Sequence, residues 1–94
     1  MKTDLEIYRE EIDAIDKVIA ESFEKRMDIV LKVAEYKKKN NIQTFDPQRE
    51  QKMKDKNQNY IKSEMLKSYY LKFLQSYVDI SKEYQNDIRE LAKK

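Results

Sequence analysis

The amino-acid sequence predicts an all-α protein with three helices, two long and one short. Its 94 residues contain no glycine and one proline, so the residues that most often end helices are nearly absent. Glu, Lys, Leu, Met and Gln, which favour helices, are abundant. Apolar residues also recur at spacings of three and four, as one face of a helix requires. The length allows one small domain, which we expect to span residues 1–94.

The first predicted helix runs from Thr3 to about Lys39. Thr3 is a suitable N-cap, and Glu6 follows at the spacing of a capping box. On a helical wheel of about 100° per residue, the apolar stripe fills a sector from about 60° to 140°. Its members are Ile12, Ile15, Ile19, Phe23, Val30 and Val33.

A short second helix is expected from Pro47 to about Asn57, after the break at residues 40–46. Asp46 is a good N-cap, and Pro47 suits the first helical position. Arg49 is not explained in this way, because a positive charge is mildly unfavourable in the first turn of a helix.

A third, long helix is expected from about Tyr60 to Ala92, after a turn at residues 55–59. Two apolar stripes indicate that this helix is covered on two sides, as in a helical bundle. The main stripe contains Leu66, Tyr69, Phe73, Tyr77, Ile80, Tyr84 and Leu91. The second stripe contains Leu71, Leu74 and Val78, and continues with Ser81 and Gln85.

The length of the first helix predicts an assembly of two chains. A helix of about 36 residues is about 54 Å long, whereas a compact monomer of this size is about 32 Å across. The apolar stripe would then extend into water, so we expect an intertwined helical homodimer. A kink near Ser22 that folds the helix back is an alternative, but no strong helix breaker lies there.

Composition argues against several classes of function. The chain has no cysteine and no histidine, so it lacks disulfides, the commonest zinc ligand and the usual general base. The net charge is +2 with both signs interspersed, which gives no broad case for nucleic-acid binding. There is no glycine-rich phosphate loop, no apolar signal core and no membrane-spanning run. We expect a soluble, cytoplasmic protein without metal or cofactor.

Polar residues interrupt the apolar stripes of both long helices. Arg26 at about 80° and Lys37 at about 100° lie inside the apolar sector of the first helix. Lys37 could reach water from the helix end, and Arg26 could form a buried ion pair with an acidic residue of the third helix. Taken together with Ser81 and Gln85, they predict instead a polar, positively charged cavity that binds an anion.

Four spacings resemble the all-helical AroQ class of chorismate mutases, in which three-helix subunits form an intertwined dimer. The spacings are R-x6-D from residue 9, R-x10-K from residue 26, D-x2-R-E from residue 46 and S-x3-Q from residue 81. The resemblance covers nearly the whole chain, from LEIYREEIDAID to DISKEYQ. The chain departs from it in lacking a glycine before the lysine and in its many tyrosines.

This resemblance implies a role for eight residues. Arg9 would enter the site of the partner subunit, and Arg26 and Ser81 would contact a substrate carboxylate. Lys37 and Gln85 would contact the ether oxygen of the substrate. The residues expected near the ring hydroxyl are Asp46 and Glu50, with Arg49 as an additional basic residue.

The reaction implied is the intramolecular Claisen rearrangement of chorismate to prephenate in phenylalanine and tyrosine biosynthesis. It needs no proton transfer, so the lack of histidine is no obstacle. Electrostatic stabilisation and conformational restriction of the dianionic substrate would carry it. The alternatives are an isochorismate pyruvate lyase of the same fold and a non-catalytic helical regulatory or interaction module.

Overall fold

The computed structural model describes residues 1–92 and contains three α-helices. They are α1 (Asp4–Lys39), α2 (Pro47–Asn57) and α3 (Glu64–Ala92), with a 3₁₀ turn at Gln58–Tyr60 between α2 and α3. No strand occurs within residues 1–92. The predicted class, all-α with two long helices and one short helix, is confirmed.

Both ends of α1 follow from local sequence. The Thr3 hydroxyl accepts the backbone N–H of Glu6 at 3.2 Å, as an N-cap does. At the other end, Asn41 has a left-handed backbone with φ of 56°. Its N–H donates to the carbonyl of Lys38, and the Ile42 N–H donates to that of Lys37. This is a Schellman motif, in which asparagine takes the place usually held by glycine.

The connection between α2 and α3 differs from the prediction. Tyr60 belongs to the 3₁₀ turn, and α3 begins at Glu64, so the predicted start near Tyr60 was wrong. Residues 55–57 continue α2, and the chain turns at residues 61–63. The physical reason is that Ile61, which is half-buried, takes an extended backbone and ends the helical path there.

The core lies between α3 and the C-terminal half of α1. Leu74 and Val78 are buried, together with Ser81, and all three belong to the second stripe of α3. The stripe predicted as the main one is mostly exposed. Its exposed members are Leu66, Tyr69, Phe73, Ile80 and Leu91.

Polar side chains join the helix α2 to α3. The Lys54 ammonium donates to the Gln75 amide oxygen, and the Gln75 amide nitrogen donates to Asp79 at 2.9 Å. Near the C-terminal end of α2, burial raises the pKa of the Tyr70 hydroxyl, and the neighbouring Tyr77 adds to the increase. Polar contacts therefore contribute to the position of this short helix.

The chain is elongated. Its radius of gyration is 17.3 Å, whereas a compact chain of this length would have about 12 Å. The longest dimension is 58 Å, and α1 is one continuous helix of 36 residues, so the alternative in which it folds back near Ser22 is wrong. Residues 4–25 are exposed throughout. None of the helices that the structure describes is long and apolar enough to cross a membrane.

Candidate active site

Seven of the eight predicted site residues lie where α3 contacts the C-terminal half of α1 and the start of α2. Arg26 and Lys37 lie on the C-terminal half of α1, and Ser81 and Gln85 on the C-terminal half of α3. The start of α2 contributes Asp46, Arg49 and Glu50. This junction is called the packed end below.

Arg26 joins α1 to α3 inside the packed end. Its guanidinium donates to the Ser81 hydroxyl at 2.5 Å and lies 4.4 Å from the centre of the Tyr77 ring. The Ser81 hydroxyl in turn donates to the Tyr77 carbonyl at 2.7 Å. The partners of Arg26 on α3 are thus a hydroxyl and an aromatic ring, not the carboxylate of a buried ion pair. Its positive charge can therefore attract an anion.

Lys37 is held at the end of α1 by backbone and side chain. Its carbonyl accepts the Ile42 N–H at 2.8 Å within the Schellman motif. Its half-buried ammonium donates to the Thr44 carbonyl at 3.2 Å. Lys37 therefore turns toward the loop between α1 and α2. It lines an open groove of about 600 Å³, which Phe45 and Asp46 also line.

Gln85 faces a smaller groove of about 220 Å³ on the α1–α3 side of the loop. The other residues of this groove are Ala34, Glu35, Lys38, Thr44, Ile88 and Arg89. The amide oxygen of Gln85 is buried and has no hydrogen-bond partner among residues 1–92. A buried acceptor without a donor is unfavourable by about 1–3 kcal/mol. Rotation of the amide exchanges its oxygen and nitrogen, so the same position can also present a donor.

The three predicted site residues at the start of α2 differ in burial. The Asp46 carboxylate accepts the Arg49 N–H at 3.0 Å, which confirms its role as N-cap. The Glu50 carboxylate turns inward and forms an ion pair with Lys82 of α3 at 2.8 Å. The side chain of Arg49 is exposed.

Arg9 is the predicted site residue that does not join the others. It is exposed on the N-terminal half of α1. Along the axis of the helix it lies about 26 Å from Arg26 and about 42 Å from Lys37, at 1.5 Å per residue. An arginine side chain is far shorter than either distance, so Arg9 cannot serve the packed end of its own chain.

The packed end offers cations, a hydroxyl and an amide around two neighbouring grooves. Thr44 is linked to both, because its carbonyl accepts a hydrogen bond from Lys37 and the residue lines the groove of Gln85. No cluster of three or more metal-binding side chains occurs among the described residues. The arrangement is therefore suited to holding an anion through charge and hydrogen bonds.

Sequence reasoning missed three residues at this end. Lys82 pairs with Glu50, Arg89 donates to the Thr44 hydroxyl, and Tyr77 lies under Arg26. Tyr77 belongs to the main apolar stripe predicted for α3, so a local signal for it was present in the sequence. The other two contacts join residues far apart in sequence, so no local pattern signals them.

One comparison with known proteins identifies the family, and two find nothing. No curated protein and no solved structure matches the chain. The family model described as chorismate mutase type II matches residues 8–86, a range that includes all eight predicted site residues. The three-helix architecture without strands in residues 1–92 agrees with that all-helical family. The chain belongs to the chorismate mutase type II family of isomerases, which rearrange chorismate to prephenate.

Proposed function

We propose that the chain catalyses this rearrangement as a homodimer with two composite sites. Each site would consist of the packed end of one chain and Arg9 of the other. The observation that carries the proposal is the Arg26–Ser81 contact, in which a guanidinium between α1 and α3 meets a hydroxyl rather than a carboxylate. We also infer that residues 1–94 form a single chorismate mutase domain.

The substrate is a dianion, and two kinds of contact would hold it. Arg26 and Ser81 bind one carboxylate, and the Arg9 of the partner subunit supplies a further positive charge. Arginine suits this purpose because its planar fork matches a carboxylate with two hydrogen bonds. Pairing both charges holds the extended molecule in the compact, chair-like geometry that the rearrangement needs.

Lys37 and Gln85 would stabilise the reacting ether oxygen. Negative charge develops on this oxygen as the carbon–oxygen bond breaks, and fixed donors aimed at it lower the barrier. An ammonium has three donors, so Lys37 can keep its bond to Thr44 and still donate to substrate. The rotated Gln85 amide supplies the second donor.

The start of α2 would recognise the ring hydroxyl. The Glu50 carboxylate is the acceptor, because an ionised carboxylate only accepts hydrogen bonds and a hydroxyl can donate. Asp46 fixes the first turn of α2 through its cap, one helical turn before this acceptor. The exposed Arg49 adds positive charge at the start of α2, which favours approach of an anion.

The surface area of one chain supports the homodimer. A compact monomer of 11.5 kDa would expose about 5,800 Å², whereas this chain exposes 8209 Å². The excess is about 2,400 Å² per chain, or about 4,800 Å² for two chains, within the range of obligate homodimer interfaces. The exposed apolar residues of α1 and α3 supply the surface that a second copy would cover.

A direct assay tests the activity. Loss of chorismate with appearance of prephenate supports the mutase reaction. Release of pyruvate from isochorismate, without prephenate formation from chorismate, would indicate the lyase. Absence of both reactions, without protection from unfolding by a dicarboxylate analogue, would leave the non-catalytic helical module.

Mixing two inactive variants tests the shared site. Arg9→Ala and Arg26→Ala each lack one arginine in every site of their own homodimers. A mixed dimer contains one site with both arginines, so random exchange should restore about a quarter of the unaltered activity. No recovery, despite exchange demonstrated by mass spectrometry, would contradict donation of Arg9 across the dimer.

A cytoplasmic location stays a prediction. Fractionation of cells that produce the full chain, with detection of the protein in the soluble and membrane fractions, measures it.

A further inference from the structure

Lys82 is a cation of the packed end that the proposed reaction has not used. It directly follows Ser81 on α3, but it turns to the flank that faces α2. Its ammonium lies 2.8 Å from Oε1 of Glu50 and 5.5 Å from the centre of the Phe45 ring. Lys82 therefore contacts both the first turn of α2 and the loop that precedes it.

The Lys82–Glu50 pair differs from the surface ion pairs of the chain. Lys17 and Glu21 are one turn apart on α1, and Lys2, which precedes α1, pairs with Glu10 near the start of that helix. The side chains of both pairs are 55% or more exposed. Such exposed pairs contribute little to stability. The Lys82 and Glu50 side chains are 31% and 24% exposed, and they belong to different helices. A pair that is partly shielded from water and joins two elements can set their relative position.

The helix α2 depends on such contacts for its orientation. Glu50 and Lys54 are one turn apart, so they lie on the same face of α2. Glu50 contacts Lys82 and Lys54 contacts Gln75, so both anchor that face to α3. Of these two contacts, the one to Lys82 involves a residue with a proposed role in substrate binding.

We propose that Lys82 is a positioning residue, which fixes the Glu50 carboxylate so that it accepts the ring hydroxyl of the substrate. This inference rests on the proposed role of Glu50. Lys82 holds Oε1 and leaves Oε2 able to accept a hydrogen bond. A glutamate side chain has several rotatable bonds, and the ion pair restricts them before substrate arrives. Lys82 thereby determines where on the ring a hydroxyl is accepted.

The test is the substitution Lys82→Met, which keeps an unbranched side chain and removes the charge. We expect KM for chorismate to rise about tenfold, the effect of one hydrogen bond to a charged group. The kcat should change less than about threefold, because the ether oxygen and its donors are untouched. Lys82→Arg, which keeps the ion pair, should restore most of the lost affinity.

Lys67→Met is the matched control. Lys67 also lies on α3, its ammonium is 2.8 Å from Glu64, and its side chain is 27% exposed. This pair is local and lies at the other end of α3, so KM and kcat should both stay within about twofold of the unaltered values. If Lys82→Met behaves like Lys67→Met, the inference is overturned.

A double-mutant cycle separates positioning from direct contact with substrate. If Lys82 acts through Glu50, the double variant Lys82→Met/Glu50→Gln should have the same KM as Glu50→Gln alone. Additive losses would mean that Lys82 acts independently of Glu50, which overturns the inference. Should Lys82→Met fail to fold by circular dichroism, Lys82→Gln, which keeps a donor without the charge, gives the same comparison.

The activity of the unaltered chain distinguishes failure of this inference from failure of the proposed function. Turnover of chorismate by the unaltered chain, with KM unchanged in Lys82→Met, overturns the inference alone. Absence of turnover in the unaltered chain overturns the proposed function and the role of Lys82 with it.

Discussion

The two halves of α1 carry the same apolar stripe but differ in what covers it. Residues 4–25 are exposed throughout, and Ile12 and Ile15 retain 54% and 59% of their accessible surface. In the C-terminal half, α3 shields part of the stripe. Within the sector of the stripe, Arg26, Val30 and Lys37 are half-buried, whereas Val33 is exposed. Met27, Leu31 and Ala34, which lie beside the stripe, are also half-buried. Periodicity alone therefore does not tell which part of a stripe the same chain covers.

The two halves of α1 also differ in function. The covered half holds Arg26 and Lys37 in place by contacts to α3 and to the loop before α2. The uncovered half has an apolar face and Arg9, neither of which its own chain uses. In a chorismate mutase dimer, we infer that this half provides both the interface and the last arginine of the neighbouring site.

The largest expected effect comes from a charge placed in the uncovered half. Ile15→Asp should weaken dimerisation by about 10²–10⁴-fold, because each of two chains loses one buried apolar side chain. Activity should decrease in proportion as the dimer dissociates, because each site of a separated chain would lack the partner's Arg9. Analytical ultracentrifugation over a range of concentrations, with the assay run alongside, measures both.

Ala14→Asp is the control for that variant. It adds the same charge to the next position, which lies at about 320° on the wheel and outside the apolar stripe. The dimer should persist in this variant. Equal weakening by both substitutions would show that added charge, rather than the stripe, is responsible.

The next largest effect is expected in the covered half. Lys37→Ala should lower kcat by about 10²–10³-fold, the loss typical of one donor that stabilises developing charge. The dimer should stay folded, because the Schellman motif at this residue uses its backbone. Lys39→Ala, at an exposed position two residues away, should retain nearly full turnover. Near-normal turnover in Lys37→Ala would remove Lys37 from the mechanism.

The pH dependence of the rate gives a smaller effect. Between about pH 5 and 8 a lysine side chain in water stays positively charged and a glutamine side chain does not titrate. The rate should therefore vary little over this range. Gln85→Glu is the informative contrast, because a carboxyl group donates a hydrogen bond only when protonated. Its rate should therefore rise as pH falls. A steep profile for the unaltered chain would count against Gln85 as the second donor.

The smallest effect concerns stability at alkaline pH. Burial raises the pKa of Tyr70, so the unfolded chain loses this proton at a lower pH than the folded chain. The contribution is fully present below about pH 10, the pKa of an unfolded tyrosine, and is lost above it. Urea unfolding between pH 9 and 11 should show a steeper fall for the unaltered chain than for Tyr70→Phe. Identical slopes would contradict this account.

Much of the fold could be predicted because its signals are local. The cap at Thr3, the cap at Asp46 and the absence of glycine account for the starts of α1 and α2 and for the length of α1. The start of α3 could not be predicted in this way. There the half-buried Ile61 takes an extended backbone, which separates the 3₁₀ turn from α3.

The candidate site likewise has residues that the sequence could indicate and residues that it could not. Arg26 and Lys37 could be found because a charge inside an apolar sector is costly unless it has a partner or a function. Lys82 and Arg89 could not be found, since their partners Glu50 and Thr44 belong to other elements. A charged residue on a helix surface gives no local sign of which helix it will meet.

The sequence by itself determined the helices, the two apolar stripes of α3 and the polar residues within the stripes. These features follow from spacing, capping and side-chain chemistry, which act over a few residues. Only the tertiary structure decided that Leu74, Val78 and Ser81 are buried while the stripe predicted as the main one stays mostly exposed. The reason is that both stripes are apolar enough to be buried, and the choice depends on where α1 lies against α3.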